Sequence, residues 1–219
     1  MKNKLSGFDV MIFLSLSFSI LLVIARVIFS AQLTFVFLIW NLFLAIIPYL
    51  LSKAVANRDK FDVKAFAGLT CWLLFLPNAP YIITDLFHLY ERPPVPQWFD
   101  LVLLSSAALN GLLITIASLL QVEHFLRKFS GRHVVNLVIG ISIFLCGYGI
   151  YLGRFLRYNS WDVISDPIKL VSSIGYSIIH PFQHSRTWGF TMLFSCLLLL
   201  MYYSIKTLSH GVVRKSTAA

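Results

Sequence analysis

Charge is the scarcest property of this 219-residue chain: 12% of its residues are charged, and nine of them are acidic. A soluble domain carries about 25%. Apolar residues make up 58%, and mean hydropathy is +0.79. So little polar surface cannot cover a water-soluble fold, so lipid must be its solvent. Cysteine is scarce as well. Cys71, Cys146 and Cys196 all fall inside apolar runs and form no CxxC motif. That excludes a disulfide framework or zinc ribbon, and the three read as buried small hydrophobes. Internal repeats, direct or inverted, are missing. No apolar run carries an ionisable residue at its centre, where Asn41 and Asn110 are the main polar groups. Both absences disfavour an ion-coupled carrier.

What is present is a series of long apolar runs. A spanning helix needs about 20 mostly apolar residues. Six segments meet this: 8–29, 32–51, 65–88, 99–121, 134–152 and 187–208. The expectation is an all-α, polytopic transmembrane bundle, residues 1–219 forming one integral-membrane domain. The run after Lys2 and Lys4 is too long for a signal peptide and lacks an A-x-A site, so it reads as an uncleaved first span. A further segment, 168–180, is too short to span. Leu170, Val171, Ile174 and Ile178 share one helical face there, as expected of an interfacial or re-entrant helix.

The net charge of +9 raises nucleic acid as a partner, but the basic residues cluster in loops between apolar spans. That is the pattern of topology selection, so no nucleic-acid partner is expected. If the spans alternate, Lys2, Lys4, Lys53, Arg58, Lys60, Lys64, Arg127, Lys128, Arg132, Lys206, Arg214 and Lys215 share one side. Arg26, Arg92, Arg154, Arg157, Lys169 and Arg186 share the other. The richer side marks the cytoplasm, so both termini are expected inside.

Two polar stretches then fall on the outer side. In the first, Pro77-Asn78-Ala79-Pro80 cannot continue a regular helix, because each proline removes a donor and crowds the preceding turn. Either the break presents backbone groups to a ligand, or it is a kink packed against neighbours. After it, Tyr81 and Asp85 lie four residues apart and Asp85 and His88 three, close enough to be neighbours on a helix. Asp85 and His88 read as an acid–base pair, as half of a metal site, or as a structural pair at the water interface.

The second stretch holds Arg154 and Arg157, three residues apart at the end of span five. On one helical face they would form a bidentate receptor for phosphate or carboxylate. Asn159, Trp161 and Asp162 follow with an amide, an interfacial ring and a carboxylate. Gly149 and Gly153 precede the arginines as a small-xxx-small pair that allows close packing, with span three as a candidate neighbour. Farther on, His180 and His184 have a spacing suited to one metal if helical. With His88 and Asp85 they compose a possible zinc set.

The strings Leu76-Pro77-Asn78-Ala79-Pro80-Tyr81-Ile82-Ile83-Thr84-Asp85-Leu86-Phe87-His88 and Gly153-Arg154-Phe155-Leu156-Arg157-Tyr158-Asn159-Ser160-Trp161-Asp162 resemble the two hallmark segments of a bacterial integral-membrane family, domain of unknown function 1361. The resemblance runs from about span two to span six. It implies a bacterial plasma-membrane protein and no particular activity.

Three functions follow as expectations. The first is an outer-face site that binds or modifies an anionic lipid head group or envelope precursor, with no cofactor. Asp85 and His88 are its reactive or orienting pair, and Asn78, Tyr81, Arg154, Arg157, Asn159, Trp161 and Asp162 its binding residues. The second is a zinc-dependent membrane hydrolase built on His88, His180, His184 and Asp85. The third is a non-catalytic scaffold subunit in which Asp85 and Arg154 lock a helix junction. Membrane lipid is the expected partner. A protein partner or a homo-oligomer stays open.

Overall fold

A computed structural model describes residues 6–216, and the side chains among them up to Leu208. Lys2 and Lys4, and the side chains of Arg214 and Lys215, lie outside that described set. The chain is 80% helical with no strand among the described residues. In order it forms α1 (Gly7–Ser30), α2 (Phe37–Ala56), α3 (Val63–Phe75), the single turn α4 (Asn78–Tyr81), a 3₁₀ segment (Ile82–His88), α5 (Gln97–Leu126), α6 (Arg132–Phe155), the single turn α7 (Asp162–Ser165), α8 (Pro167–Ile179) and α9 (Ser185–Ser216). Among the described residues, six spans are long and apolar enough to cross a membrane, α3 counting together with α4 and the 3₁₀ segment as Val63–His88.

Local chemistry sets the boundaries. Ser6 and Asp9 close a capping box at the start of α1. The Asp62 carboxylate accepts from the Ala65 N–H at the start of α3, and Asp166 with Pro167 starts α8. These groups satisfy orphan donors of the first turn.

α5 is the most buried span and divides the core. On one side Trp72, Leu76, Ile116, Ile143, Cys146 and Leu198 join α3, α5, α6 and α9. On the other, Leu16, Val23, Leu38, Leu42, Ile82 and Leu104 join α1, α2, the broken span and α5. Cys146 is buried as expected, but Cys71 and Cys196 are exposed. They sit on outward faces of their helices, where lipid rather than the core is the apolar surrounding.

Contacts between ends show that the spans alternate. At one end Lys53 Nζ lies 2.7 Å from both Asp9 oxygens, and the Tyr49 hydroxyl donates to the same carboxylate at 2.7 Å. Lys128 donates to the carbonyls of Ala56 and Arg58. Glu123 accepts from Arg127, Lys206 and Tyr202. At the opposite end Arg26, near the close of α1, makes a two-pronged pair with Asp100 at 2.7 and 3.0 Å.

Two glycines set the closest approaches of the broken span. A Cβ on Gly111 would lie 2.2 Å from the Ala79 carbonyl oxygen, and one on Gly149 2.5 Å from Pro77 Cγ. Both faces of the proline break are thus met by bare backbone. Gly111→Ala is expected to lower the thermal midpoint in detergent, at a cost of about 1–3 kcal/mol. Gly140→Ala, with open space at its Cβ, should be neutral or raise it. Equal midpoints for the two variants would contradict this packing.

Candidate functional site

The proline break stands at the same end as Arg26 and Asp100. Pro80 has no N–H, and the Ala79 N–H turns to the Leu76 carbonyl at 3.2 Å. That leaves the Phe75 carbonyl without its helical donor, and Asn78 Nδ2 donates to it at 3.0 Å. The same amide donates to Ser160 Oγ at 2.9 Å, and the Ser160 hydroxyl donates to the Leu74 carbonyl at 3.2 Å. Orphan carbonyls inside a membrane must be filled by protein or by a wet cavity. Here the loop after α6 supplies a partner, which pins that loop to the break. Of the two readings of the break, the packed kink is the one these bonds fit, with Ser160 as a clamp that the sequence did not single out.

α6 meets the break through Gly149 on Pro77 and Gly153 on Tyr81. Arg154 follows Gly153 and so reaches the 3₁₀ segment. Its Nη1 donates to Asp85 Oδ1 at 3.2 Å, and its Nη2 lies 3.2 Å from His88 Nε2. A guanidinium only donates, so Nε2 accepts and carries no proton in this arrangement. Asn41 Nδ2 fills the other Asp85 oxygen at 2.9 Å. Asp85 is buried at 1% exposure. Read from the sequence as an acid–base pair, as half of a metal site or as a structural pair, Asp85 and His88 have Arg154 between them, and the acceptors used here are engaged. Arg92 Nη1 donates to the His88 carbonyl at 2.8 Å. The Phe35 ring lies 4.7 Å from the Arg26 guanidinium and 5.1 Å from that of Arg92. One charged cluster therefore extends from Asp85 to Asp100. Arg26 and Asp100 each lie about a turn from the end of an apolar helix, and nothing in the sequence pairs them.

Arg157 does not share a face with Arg154. α6 ends at Phe155, and Arg157 takes a left-handed φ of 61° while the Tyr158 N–H returns to the Leu152 carbonyl. The expected bidentate pair is therefore split, because the helix stops between the two arginines. Arg157 is exposed and has no hydrogen-bond or ion-pair partner among the described residues. Asp162 is occupied locally. The Asn159 N–H donates to it at 2.6 Å and the Ser165 hydroxyl at 2.9 Å, and these bonds hold its carboxyl below the usual carboxylate range. Trp161 is exposed.

Beside the cluster lies a half-open groove of about 310 Å³. Trp40, Leu44, Leu73, Leu145, Leu152 and Ile174 give it apolar walls. Asn41, Asn78, Tyr81, Tyr158, Asn159 and Ser160 add polar groups. Among the predicted site residues, Asn78, Tyr81 and Asn159 line it. Asp85 touches its wall through Asn41.

His180 and His184 pack around Tyr176, with ring centroids 4.6 and 5.2 Å from it. His88 instead packs edge-on against Phe37 at 5.5 Å. Among the described residues no three His, Cys, Asp or Glu side chains come together as a metal set. The grouping of His88, His180, His184 and Asp85 is thus not found, because the two loop histidines follow α8 rather than the break.

Residues 40–201 match the model of a family described as a protein of unknown function, DUF1361. No curated protein and no solved structure matches the chain.

The Arg26–Asp100 pair is 1% exposed on both sides, whereas Arg154 keeps 15% exposure. Removing one partner of a buried pair costs about 3–5 kcal/mol, because the other charge stays buried. Arg26→Ala is expected in that range, and Arg154→Ala below it, since its guanidinium is less enclosed. Denaturant unfolding in detergent measures both. A larger loss for Arg154→Ala would contradict this ranking.

Proposed function

The chain belongs to the DUF1361 family, and on that premise we propose that it is a receptor for an anionic amphiphile. The ligand would be a lipid or lipid-linked envelope precursor, bound at the outer face of a bacterial plasma membrane. Both termini would be cytoplasmic. The end that carries Lys53, Arg58, Arg127, Lys128 and Lys206 supports that orientation by its positive charge.

The single observation that carries this reading is the groove beside the Asp85–Arg154–His88 cluster, with apolar walls and a polar rim. Ligand sites are mostly apolar concavities with a few placed polar groups. An apolar chain would fill the walls between Leu44, Leu73 and Leu145. Its anionic group would meet Asn159 and the unengaged guanidinium of Arg157. Arg154 is a positioning residue here, since Asp85 and His88 already hold its guanidinium. Asp85 and His88 accept hydrogen bonds from Asn41 and Arg154, so binding rather than acid–base chemistry is the reading they support.

Backbone strain makes Arg157 a clean test. A non-glycine residue in the left-handed region costs about 1 kcal/mol. Arg157→Gly would relieve that cost and remove the charge together. The variant is expected to fold with an unchanged or raised thermal midpoint. Its retention of phosphatidylglycerol over phosphatidylcholine, read by native mass spectrometry, should disappear. Unchanged selective retention would rule the reading out.

A further inference from the structure

α8 presents the opposite amphipathicity from a helix resting on a soluble core. Its inward side is polar. Ser173 Oγ lies 2.8 Å from the Tyr158 hydroxyl, which also donates to the Lys169 carbonyl at 3.3 Å. Ser177 is buried, its Oγ 2.7 Å from the Tyr148 hydroxyl, and its carbonyl accepts from Trp188 Nε1 at 3.1 Å. Only Leu170 and Ile174 face inward as apolar groups, and both line the groove. The outward side is aliphatic: Ile168 is 83% exposed, Val171 67% and Ile179 72%, with Ile164 of α7 at 85%. The single apolar face expected from Leu170, Val171, Ile174 and Ile178 is thus two faces. Leu170 and Ile174 turn to the groove while Val171 and Ile178 turn away from the protein.

Depth decides what covers the outward face. Tyr148 lies seven residues before the end of α6 at Phe155, about 10 Å inside the span at 1.5 Å per residue. Trp188 lies within span α9 and stacks on Phe144 of α6 at 6.4 Å. Phe144 is itself among the exposed apolar side chains of its span. Two of the anchors of α8, Tyr148 and Trp188, are therefore residues of membrane spans, and its aliphatic face continues a lipid-facing surface. Tyr158, which lines the groove, follows Arg157 in the chain and donates to the Lys169 carbonyl, so two cationic residues adjoin a groove residue, as an anionic leaflet favours.

We infer that α7 and α8 form a flap seated in one leaflet, with lipid chains against its outer face. Its inner face walls the groove, so the groove fills sideways from the leaflet with one chain of a membrane amphiphile. This rests on the receptor reading above and adds the route and the form of the ligand. The groove's volume, about 310 Å³, is at the small end of ligand pockets, which run about 300–1,000 Å³, and suits one chain. The serine, tyrosine and tryptophan hydrogen bonds latch the flap.

The test uses the full chain with Cys71, Cys146 and Cys196 replaced by alanine, in vesicles of phosphatidylethanolamine and phosphatidylglycerol. Nitroxides are placed by Ile168→Cys, Val171→Cys and Ile179→Cys, with Glu91→Cys, exposed in the loop between the 3₁₀ segment and α5, as the aqueous control. Collisional relaxation by oxygen should exceed that by a water-soluble nickel complex several-fold at the three aliphatic sites, and the order should reverse at Glu91. Nickel dominance at the aliphatic sites would overturn the seated flap. A second measurement follows maleimide labelling of Ile174→Cys in detergent. Phosphatidylglycerol should slow it several-fold, and glycerol phosphate, the same head group without chains, should not. Equal protection by both, or by neither, would overturn sideways filling. If phosphatidylglycerol is still retained in an Arg157-dependent way, only the flap inference falls.

Discussion

In hydrocarbon a helix broken by Pro77 and Pro80 has to find new donors for its carbonyls, and the rest of this end of the protein follows from how it does so. Asn78 turns back on Phe75, and Ser160 reaches Leu74 from the loop after α6. Because Ser160 belongs to that loop, satisfying the break also fixes residues 156–161. Gly149 completes the contact by admitting Pro77 where any side chain would intrude, and Gly153 lies against the Tyr81 ring. Arg154 is then carried to Asp85 and His88, and the groove opens between the break, α2, α6 and α8.

The two ends of the bundle use charge differently. At the end with Asp9 and Glu123, carboxylates are met by Lys53 and Lys206 across helix ends and by Arg127 one turn on in α5. They fasten spans where water is near and ionisation is cheap. At the other end Arg26, Asp100, Asp85 and Arg154 are more deeply enclosed. Enclosed pairs of this kind cost desolvation that mutual attraction only partly offsets, so they specify one arrangement of the spans more than they add stability. Arg157, outside that network, faces outward without a hydrogen-bond or ion-pair partner among the described residues.

Much of the fold was legible in the sequence because lipid imposes a length and a composition on each span. The break at Pro77 and Pro80 was legible from the missing donors, and close packing of span five from the glycine spacing. Counting basic residues by loop put Asp85, His88 and Arg154 on one side, and the glycine spacing made span three only a candidate neighbour, so their contact itself was not legible. What escaped were facts of local geometry and long-range pairing. Nothing in the spacing of Arg154 and Arg157 says that the helix ends at Phe155 between them. The spacing within 168–180 fixes a helical period but not which neighbours supply hydrogen bonds, so the inward turn of Ser173 and Ser177 was hidden. Asn41 looked like an isolated mid-span amide because its partner, Asp85, lies 44 positions away.

The central claim is that the groove beside the Asp85–Arg154–His88 cluster holds one chain of an anionic amphiphile. An electron cryomicroscopy map of the protein in phosphatidylglycerol nanodiscs tests it most directly. The account predicts elongated density along Leu44, Leu73 and Leu145, ending in a head group at Arg157 and Asn159. A groove closed by its own side chains, with no density reaching Arg157, would contradict it.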